Sequence, residues 1–125
     1  MNVDAQLPLT PLSFQILLAL ADAPRHGYGI IKDIESASGR PFPSSTGTLY
    51  LAIQRLEQQE LIAAVPEAEA PEGRDSRRRY YGLTDLGREV AAAEAQRLAG
   101  LLGVARDRRL LTAKALLSLT AGKKG

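Results

Sequence analysis

Residues with the chemistry of catalysis or metal binding are few in this sequence, and they are poorly spaced for either task. The chain of 125 residues has one histidine, His26, and no cysteine. His26 lies in the segment Arg25-His26-Gly27-Tyr28-Gly29 at a predicted helix start, where helix capping or a tertiary hydrogen bond is its expected role. No catalytic triad or metal-ligand set can be assembled around it. We therefore predict that the protein is not an enzyme and that it uses no metal ion or cofactor.

Two further motifs with a chemical interpretation are weak. The pair Gly27-x-Gly29 follows no strand and is followed by neither a third glycine nor a P-loop lysine, so it does not predict nucleotide binding. The acidic residues of segment 67–76 lack the spacing of a calcium loop. They are Glu67, Glu69, Glu72 and Asp75.

Short polar side chains and arginines are better matched to a function. Serine and threonine hydroxyls lie at the start of the third predicted helix and can donate hydrogen bonds. Gly47 in the same segment allows close backbone approach, and Tyr50 can donate to a phosphate. Four arginines lie within residues 74–79, and such arginines can contact phosphates or enter a narrow minor groove. Taken alone, each set is equally well explained as a solvated surface. Together they predict a surface for double-stranded DNA that comprises Ser44, Ser45, Thr46, Thr48, Tyr50, Gln54, Arg77, Arg78 and Arg79.

Hydrophobic spacing predicts three short amphipathic helices before residue 60. The first is predicted over about 10–22, with Thr10 as its N-cap. The second is predicted over about 28–38 and ends at Gly39. The third is predicted to begin at the caps 44–46 and to run to about Gln59. Its buried face comprises Leu49, Ala52, Ile53 and Leu56. Three such helices with tight connections are typical of a helix-turn-helix bundle.

The periodicity changes from helical to strand-like after this bundle. Residues 61–65 are apolar and end at Pro66, and residues 77–83 contain two adjacent tyrosines. The segment 67–76 between them is rich in Glu, Ala, Pro and Gly, which predicts a flexible loop. Two strands around a basic loop predict a wing over about 61–83. The expected fold is mainly α with a small β wing, a winged helix-turn-helix.

A long fourth helix is predicted after the wing, with Thr84-Asp85 as its cap. The winged-helix unit has no remaining face that the apolar stripe of the fourth helix could cover, and soluble monomers seldom expose such a stripe. We therefore predict a homodimer joined through its N-terminal and C-terminal helices, with an interface of Leu86, Val90, Ala93, Arg97, Leu98, Leu101 and Leu102. The alternative is that the fourth helix folds back and completes the core of its own domain. The predicted organisation is a DNA-binding domain over 1–83, a C-terminal dimerisation helix region over 84–119 and a flexible tail over 120–125.

Composition restricts the location and class of the protein. The longest apolar run, 16–21, is far shorter than the roughly 20 residues that span a bilayer, and no basic segment precedes it as in a secretory signal. The net charge of +2 does not by itself favour nucleic acid. We expect a cytoplasmic protein with no membrane partner.

Several short motifs resemble the PadR family in order and spacing, over about residues 9–105. The resemblance implies a bacterial or archaeal winged-helix transcriptional repressor of the smaller subfamily with a single C-terminal helix. It also implies a homodimer on a pseudo-palindromic operator, with Tyr28 and Tyr50 at or near the DNA backbone. Family members are often released from DNA by a small effector, so an unidentified small-molecule effector is a further expected partner. The motifs are His26-Gly27-Tyr28-Gly29-Ile30, Gly47-Thr48-Leu49-Tyr50, Arg55-Leu56-Glu57 followed by Leu61-Ile62, and Arg79-Tyr80-Tyr81-x-Leu83-Thr84-x-x-Gly87.

Two residues depart from the family pattern. Glu60 stands where relatives usually carry glycine, and glutamate tolerates a left-handed helix end poorly. We therefore expect the third helix to continue or the turn to differ. Leu51 follows the motif tyrosine, where relatives often have a polar residue or proline, and it could touch a thymine methyl group or pack locally.

The rival interpretation is a winged-helix module that binds another protein and no DNA, since this fold is reused for that purpose. Strong, salt-sensitive binding to DNA would separate the two interpretations.

Overall fold

The computed structural model describes residues 3–66 and 78–121. The predicted loop over 67–76, Arg77 and residues 122–125 of the predicted tail lie outside the described residues. The chain forms two compact units, Met1–Glu94 and Ala95–Gly125. None of the described helices combines the length and the hydropathy that a membrane span requires.

The first unit contains three helices, a small sheet and the beginning of a fourth helix. This architecture confirms the predicted fold, mainly α with a small β wing. In chain order the elements are a 3₁₀ turn (Asp4–Gln6), α1 (Pro11–Ala19), β1 (Arg25–His26), α2 (Gly27–Ser38), α3 (Thr46–Gln58), β2 (Ile62–Ala64), β3 (Tyr80–Leu83) and α4 (Asp85–Asp107).

Helix α1 begins as predicted and ends earlier. The Thr10 hydroxyl accepts a hydrogen bond from the Ser13 amide at 3.1 Å. The helix ends at Ala19 and not near residue 22. The Ala19 carbonyl accepts a hydrogen bond from Arg25 Nε at 2.6 Å, which satisfies one of the free carbonyls of a helix end. Pro24 disfavours helical backbone at the residue before it.

The sheet is antiparallel with strand order β1-β3-β2. Arg25 lies opposite Tyr81, and Ile62 lies opposite Leu83. The sequence analysis did not predict β1, because two residues are too few to show an alternating pattern. This strand forms only through its pairing with β3, and it leads directly into α2.

Aliphatic side chains from every helix of the unit form one core. Val90 of α4 is fully buried in this core, and Leu86 packs against it. The prediction that Val90 forms the dimer interface is therefore wrong, because α4 uses its first turns to complete the core of its own unit. The compact unit accordingly extends to Glu94, beyond the predicted domain boundary at residue 83. The fully buried aliphatic residues are Ile16, Leu17, Ile30, Leu49, Ile53, Leu56, Leu61, Ile62 and Val90.

The turn after α3 keeps the left-handed conformation that the sequence argued against. Glu60 has a φ of 63°, and its amide donates to the Glu57 carbonyl at 3.0 Å. The Leu61 amide donates to the Leu56 carbonyl at 3.0 Å, and both leucines are buried. These two hydrogen bonds and the leucine contact are those of a Schellman motif. The expectation that the helix continues or the turn differs is therefore wrong.

The second unit contains the rest of α4 and helix α5 (Ala113–Ala121). Helix α4 runs through Gly100 and Gly103 and ends at Asp107. Helix α5 begins at Ala113, and the Thr112 hydroxyl before it accepts from the Ala115 amide at 3.0 Å. Residues 120–121, the first two of the predicted tail, belong to this helix.

Candidate nucleic-acid interface

Helix α3 is held at its N-terminus by local hydrogen bonds. Among the three predicted caps, Ser45 is the one used: its hydroxyl accepts from the Thr48 amide at 3.1 Å. The Ser45 and Thr48 hydroxyls are also 3.0 Å apart. These bonds satisfy donors of the first helical turn, and they hold both hydroxyls at the exposed end of α3.

The connection from α2 to α3 is fixed by a carboxylate. Glu35 Oε2 accepts from the Phe42 amide at 2.9 Å, and the Phe42 side chain packs against the core. The Phe42 amide, more than the nearby Lys32, holds the pKa of Glu35 below its ordinary value. The carboxylate is therefore ionised at neutral pH and stays available to hold the loop that leads into α3.

One face of α3 is buried and the other is exposed, as predicted. Leu49, Ala52, Ile53 and Leu56 face the core. Of the predicted DNA-contacting residues, Ser44 is half-buried, and the others of this segment, namely Ser45, Thr46, Thr48, Tyr50 and Gln54, are exposed.

A cleft lies between α3, the start of α2 and the wing. Its volume is about 280 Å³. The Tyr50 hydroxyl enters it beside the main chain of Gly27, which has no Cβ to block that position. We call it the tyrosine cleft; its lining residues are His26, Tyr28, Tyr50, Arg78, Arg79 and Tyr81.

His26 has a structural role at the edge of the tyrosine cleft, as the sequence predicted. Its Nδ1 atom caps α2 by accepting from the Gly29 amide at 3.0 Å. The Tyr80 ring packs edge-on against its imidazole, with 5.1 Å between ring centroids. These contacts join the start of α2 to β3. The helix and the wing therefore both position the side of the cleft that His26 lines.

The described wing arginines have different surroundings. Arg78 Nη1 lies 2.9 Å from His26 Nε2, and its guanidinium lies 5.6 Å from the centroid of the Tyr28 ring. Arg79 Nη2 instead forms an ion pair with Glu57 Oε2 of α3 at 3.3 Å. The two arginines are equivalent in the sequence, whereas in the structure Arg78 points toward α2 and Arg79 is paired with α3.

Lys32 and Glu57 adjoin the tyrosine cleft and were missed by the sequence analysis. The Lys32 ammonium lies 5.2 Å from the centroid of the Tyr28 ring. A hydrogen bond to Tyr28 is the main cause that raises the pKa of Lys32 above its ordinary value, so the lysine is charged at neutral pH. The four-residue spacing of Tyr28 and Lys32 on a predicted helix could have indicated this neighbour. Glu57 had no comparable signal, because Arg79 is distant in sequence.

The chemistry of this region suits the recognition of an anion. Lys32, Arg78 and Arg79 supply positive charge, and the tyrosine hydroxyls supply neutral donors. Burial is the main cause that raises the pKa of Tyr81, so its hydroxyl keeps its proton. Within 3–66 and 78–121, no three His, Asp or Glu side chains cluster to hold a metal ion.

Comparison with known proteins identifies the family. Residues 16–93 match the Transcriptional regulator PadR-like family. This chain belongs to that family of transcriptional regulators. The resemblance noted in the sequence is thereby confirmed. The family is one of transcriptional regulators, which agrees with the prediction that the chain is not an enzyme.

The curated relatives of this PadR-like chain match it over only part of their own length. A 37.1 kDa protein in transposon TN4556 of Streptomyces fradiae is 40% identical over 88 residues, which are 70% of this chain and 23% of that protein. Protein X of Lysinibacillus sphaericus is 34% identical over 73 residues, which are 58% of this chain and 64% of that protein. The chain thus spans less than two thirds of either relative.

A solved structure supports the same assignment. A PadR family transcription regulator from Clostridium difficile R20291 is 25% identical to this chain, with a TM-score of 0.62. The similarity covers 78% of this chain and 97% of that one.

Proposed function

We propose that this PadR-like chain is a sequence-specific DNA-binding repressor. In this proposal it acts as a homodimer on a pseudo-palindromic operator, in the cytoplasm of a bacterium or archaeon. The observation that carries the proposal is the tyrosine cleft, which adjoins the exposed face of α3. A phosphate group in the cleft would place that face against the edges of neighbouring bases.

The charges and donors of the cleft support a phosphate as its occupant. Phosphate oxygens accept strong hydrogen bonds from guanidinium groups and weaker ones from tyrosine hydroxyls. Tyr28 exposes 53% and Tyr50 exposes 41% of its surface, so both can reach a ligand without any change of the fold. We assign the backbone contacts to Tyr28, Tyr50 and Arg78, and we retain Arg77 of the wing as a predicted contact.

The exposed face of α3 is proposed to enter the major groove. Short polar side chains at the start of a recognition helix can approach base edges closely. Ser44, Ser45, Thr46 and Thr48 occupy this end, and Gln54 follows further along the helix. A glutamine can form two hydrogen bonds to adenine in the major groove.

Pairing of two copies is assigned to the second unit and the adjoining part of α4. Leu101 and Leu102 expose 56% and 38% of their surfaces, and Leu98 is half-buried. With Ala93 and Arg97 they form the retained part of the predicted interface. A two-fold dimer would place two α3 helices in major grooves about one DNA turn, roughly 34 Å, apart. A dimer bound to promoter DNA would block access of RNA polymerase. A small-molecule effector that releases the dimer from DNA stays a prediction.

Binding to DNA duplexes at several salt concentrations tests the proposal. Bound duplexes are selected from a random library, and their affinities are then measured by fluorescence anisotropy. We expect a palindromic consensus and an affinity that falls steeply with salt, with a logarithmic slope of about 0.9 per neutralised phosphate. No binding even at low salt would favour the protein-interaction module instead.

A matched pair of variants locates the binding surface. Arg78→Ala removes a positive charge at the tyrosine cleft, whereas Arg108→Ala removes one from an exposed position of the second unit. We expect only Arg78→Ala to weaken binding strongly. Equal effects of the two variants would indicate attraction by net charge alone and would place the DNA surface elsewhere.

A further inference from the structure

The exposed face of α3 carries one large apolar side chain near its centre. Leu51 exposes 62% of its surface. Consecutive residues of a helix are about 100° apart, so Leu51 points away from the buried face formed by Leu49, Ala52, Ile53 and Leu56. Exposed leucines are common on protein surfaces. The informative feature is that this one stands in the middle of the surface that the proposed function brings to DNA.

The neighbours of Leu51 on this face carry no negative charge, and Arg55, one turn later, is exposed and positive. Gly47 precedes it by one turn, and only Ser45 Oγ, at 3.8 Å, lies near the position that a Cβ atom of Gly47 would take. Gln54 and Gln58 follow and are exposed. We call Gly47, Leu51, Gln54 and Gln58 the central stripe. All residues of helix α3 are described, and Glu57 is the one acidic residue among them. Glu57 lies outside the central stripe and forms an ion pair with Arg79.

This arrangement allows Leu51 to approach the floor of a groove. Gly47 offers no side chain that would keep the N-terminal turn of α3 away from DNA, and the central stripe brings no negative charge to the phosphates. A leucine side chain makes no hydrogen bond to phosphates or to the polar edges of bases. The major groove presents one apolar group of matching chemistry, the C5-methyl group of thymine.

We infer that Leu51 is a specificity-determining residue that contacts a thymine methyl group in each half-site of the operator. The inference rests on the proposed function, because it requires α3 to lie in the major groove. Contact with Leu51 would remove both the methyl group and the isobutyl side chain from water, which favours an A·T pair at this position over the other base pairs.

Removal of single methyl groups from DNA tests this inference. The operator is first selected from random duplexes with the wild-type protein. Each thymine of one half-site is then replaced in turn by deoxyuridine, which keeps base pairing and lacks only the methyl group. We expect one thymine whose replacement weakens binding about fourfold, the value that follows from burial of one methylene-sized group.

The variant Leu51→Ala shows whether Leu51 is the partner of that methyl group. The variant should bind the thymine and deoxyuridine operators with nearly equal affinity. Leu18→Ala is the matched control, because Leu18 of α1 is also half exposed, at 50%; it should keep the fourfold preference. Thermal unfolding checks that both variants fold as the wild type does.

The outcomes separate this inference from the proposed function. If the wild-type protein binds its operator but no thymine responds to loss of its methyl group, Leu51 is not a base contact and the repressor proposal stands. Retention of the fourfold preference by Leu51→Ala would overturn the inference in the same way. If the wild-type protein selects no DNA at all, the proposed function fails, and this inference fails with it.

Discussion

The phenol group of Tyr50 lies against the main chain of Gly27, in the space that a Cβ atom would occupy. This contact joins α3 to the first residue of α2, and it directs the tyrosine hydroxyl into the tyrosine cleft. Any larger residue at position 27 must displace the Tyr50 ring. The position of Tyr50, a proposed DNA contact, therefore depends on the absence of a side chain at Gly27.

The substitution Gly27→Ala should therefore weaken DNA binding through Tyr50. The added methyl group would overlap the Tyr50 hydroxyl, and such overpacking costs about 1–3 kcal/mol if the ring cannot move aside. Operator affinity and urea denaturation measure the two effects. Gly29→Ala is the matched control, since its Cβ would lie 3.5 Å from the nearest atom, an ordinary contact. Normal binding by Gly27→Ala would show that the position of Tyr50 is unimportant.

Tyr50→Phe should lower operator affinity while the protein stays folded. The variant keeps the ring that packs on Gly27 and removes only the hydroxyl group. Loss of a hydrogen bond to a charged phosphate typically costs about 1.5–3 kcal/mol, or roughly tenfold or more in the dissociation constant. Tyr80→Phe serves as the control, because the Tyr80 ring packs against His26 and is not assigned to DNA. An unchanged affinity for Tyr50→Phe would remove its hydroxyl from the interface.

The two described wing arginines should differ in the salt dependence of binding. Arg78→Ala should reduce the logarithmic salt slope by about 0.9, the value for one lost phosphate contact. Arg79→Ala should reduce it less, because Glu57, 3.3 Å away, already offsets part of the Arg79 charge. Anisotropy titrations across a salt series measure both slopes. Equal reductions would mean that Arg79 leaves Glu57 for a phosphate when DNA binds.

Replacement of Glu60 by glycine should stabilise the fold. A left-handed conformation costs a residue with a Cβ about 1–2 kcal/mol, and part of this gain is lost because glycine is more flexible in the unfolded chain. We expect a net gain of about 1 kcal/mol in the free energy of unfolding, measured in urea at fixed protein concentration. Glu60→Ala keeps the Cβ and should bring no such gain. Equal stability of the two variants would show that the turn is unstrained.

A charge in the exposed part of α4 should separate the proposed dimer. Leu101→Glu would bury a carboxylate in the interface, which is costly without a partner. Sedimentation at micromolar concentration should then give a monomer of 13.4 kDa, where the wild type gives twice that mass. Leu110→Glu, at a 75% exposed position outside the predicted interface, should stay dimeric. A monomeric wild-type protein would rule out the dimer itself.

Elements whose causes are local could be predicted from the order of residues alone. Thr10 and Ser45 cap their helices through hydroxyl groups only three residues from the amides that they accept from. Gly39 ends α2 in a left-handed conformation with a φ of 71°. The buried face of α3 follows from the period of one helix. Each of these features depends on neighbours in the chain, and neighbours can be read from the order of residues.

The roles of residues that are distant in the chain depend on how the chain folds. Arg78 and Arg79 are adjacent in the chain, and their different partners come from β1 and α3. Val90 lies on a stripe that the sequence assigned to a second copy, and it is buried because the core of its own unit has room for α4.

Glu60 illustrates why local and tertiary features differ in this way. Its local preference opposes a left-handed backbone, and the sequence analysis followed that preference. The folded chain overrides it with burial of Leu61 and with the Thr84 hydroxyl, which donates to the Glu60 carbonyl at 2.6 Å. A local pattern reports the preference of one residue, whereas the conformation is set by the sum of contacts that only the folded chain brings together.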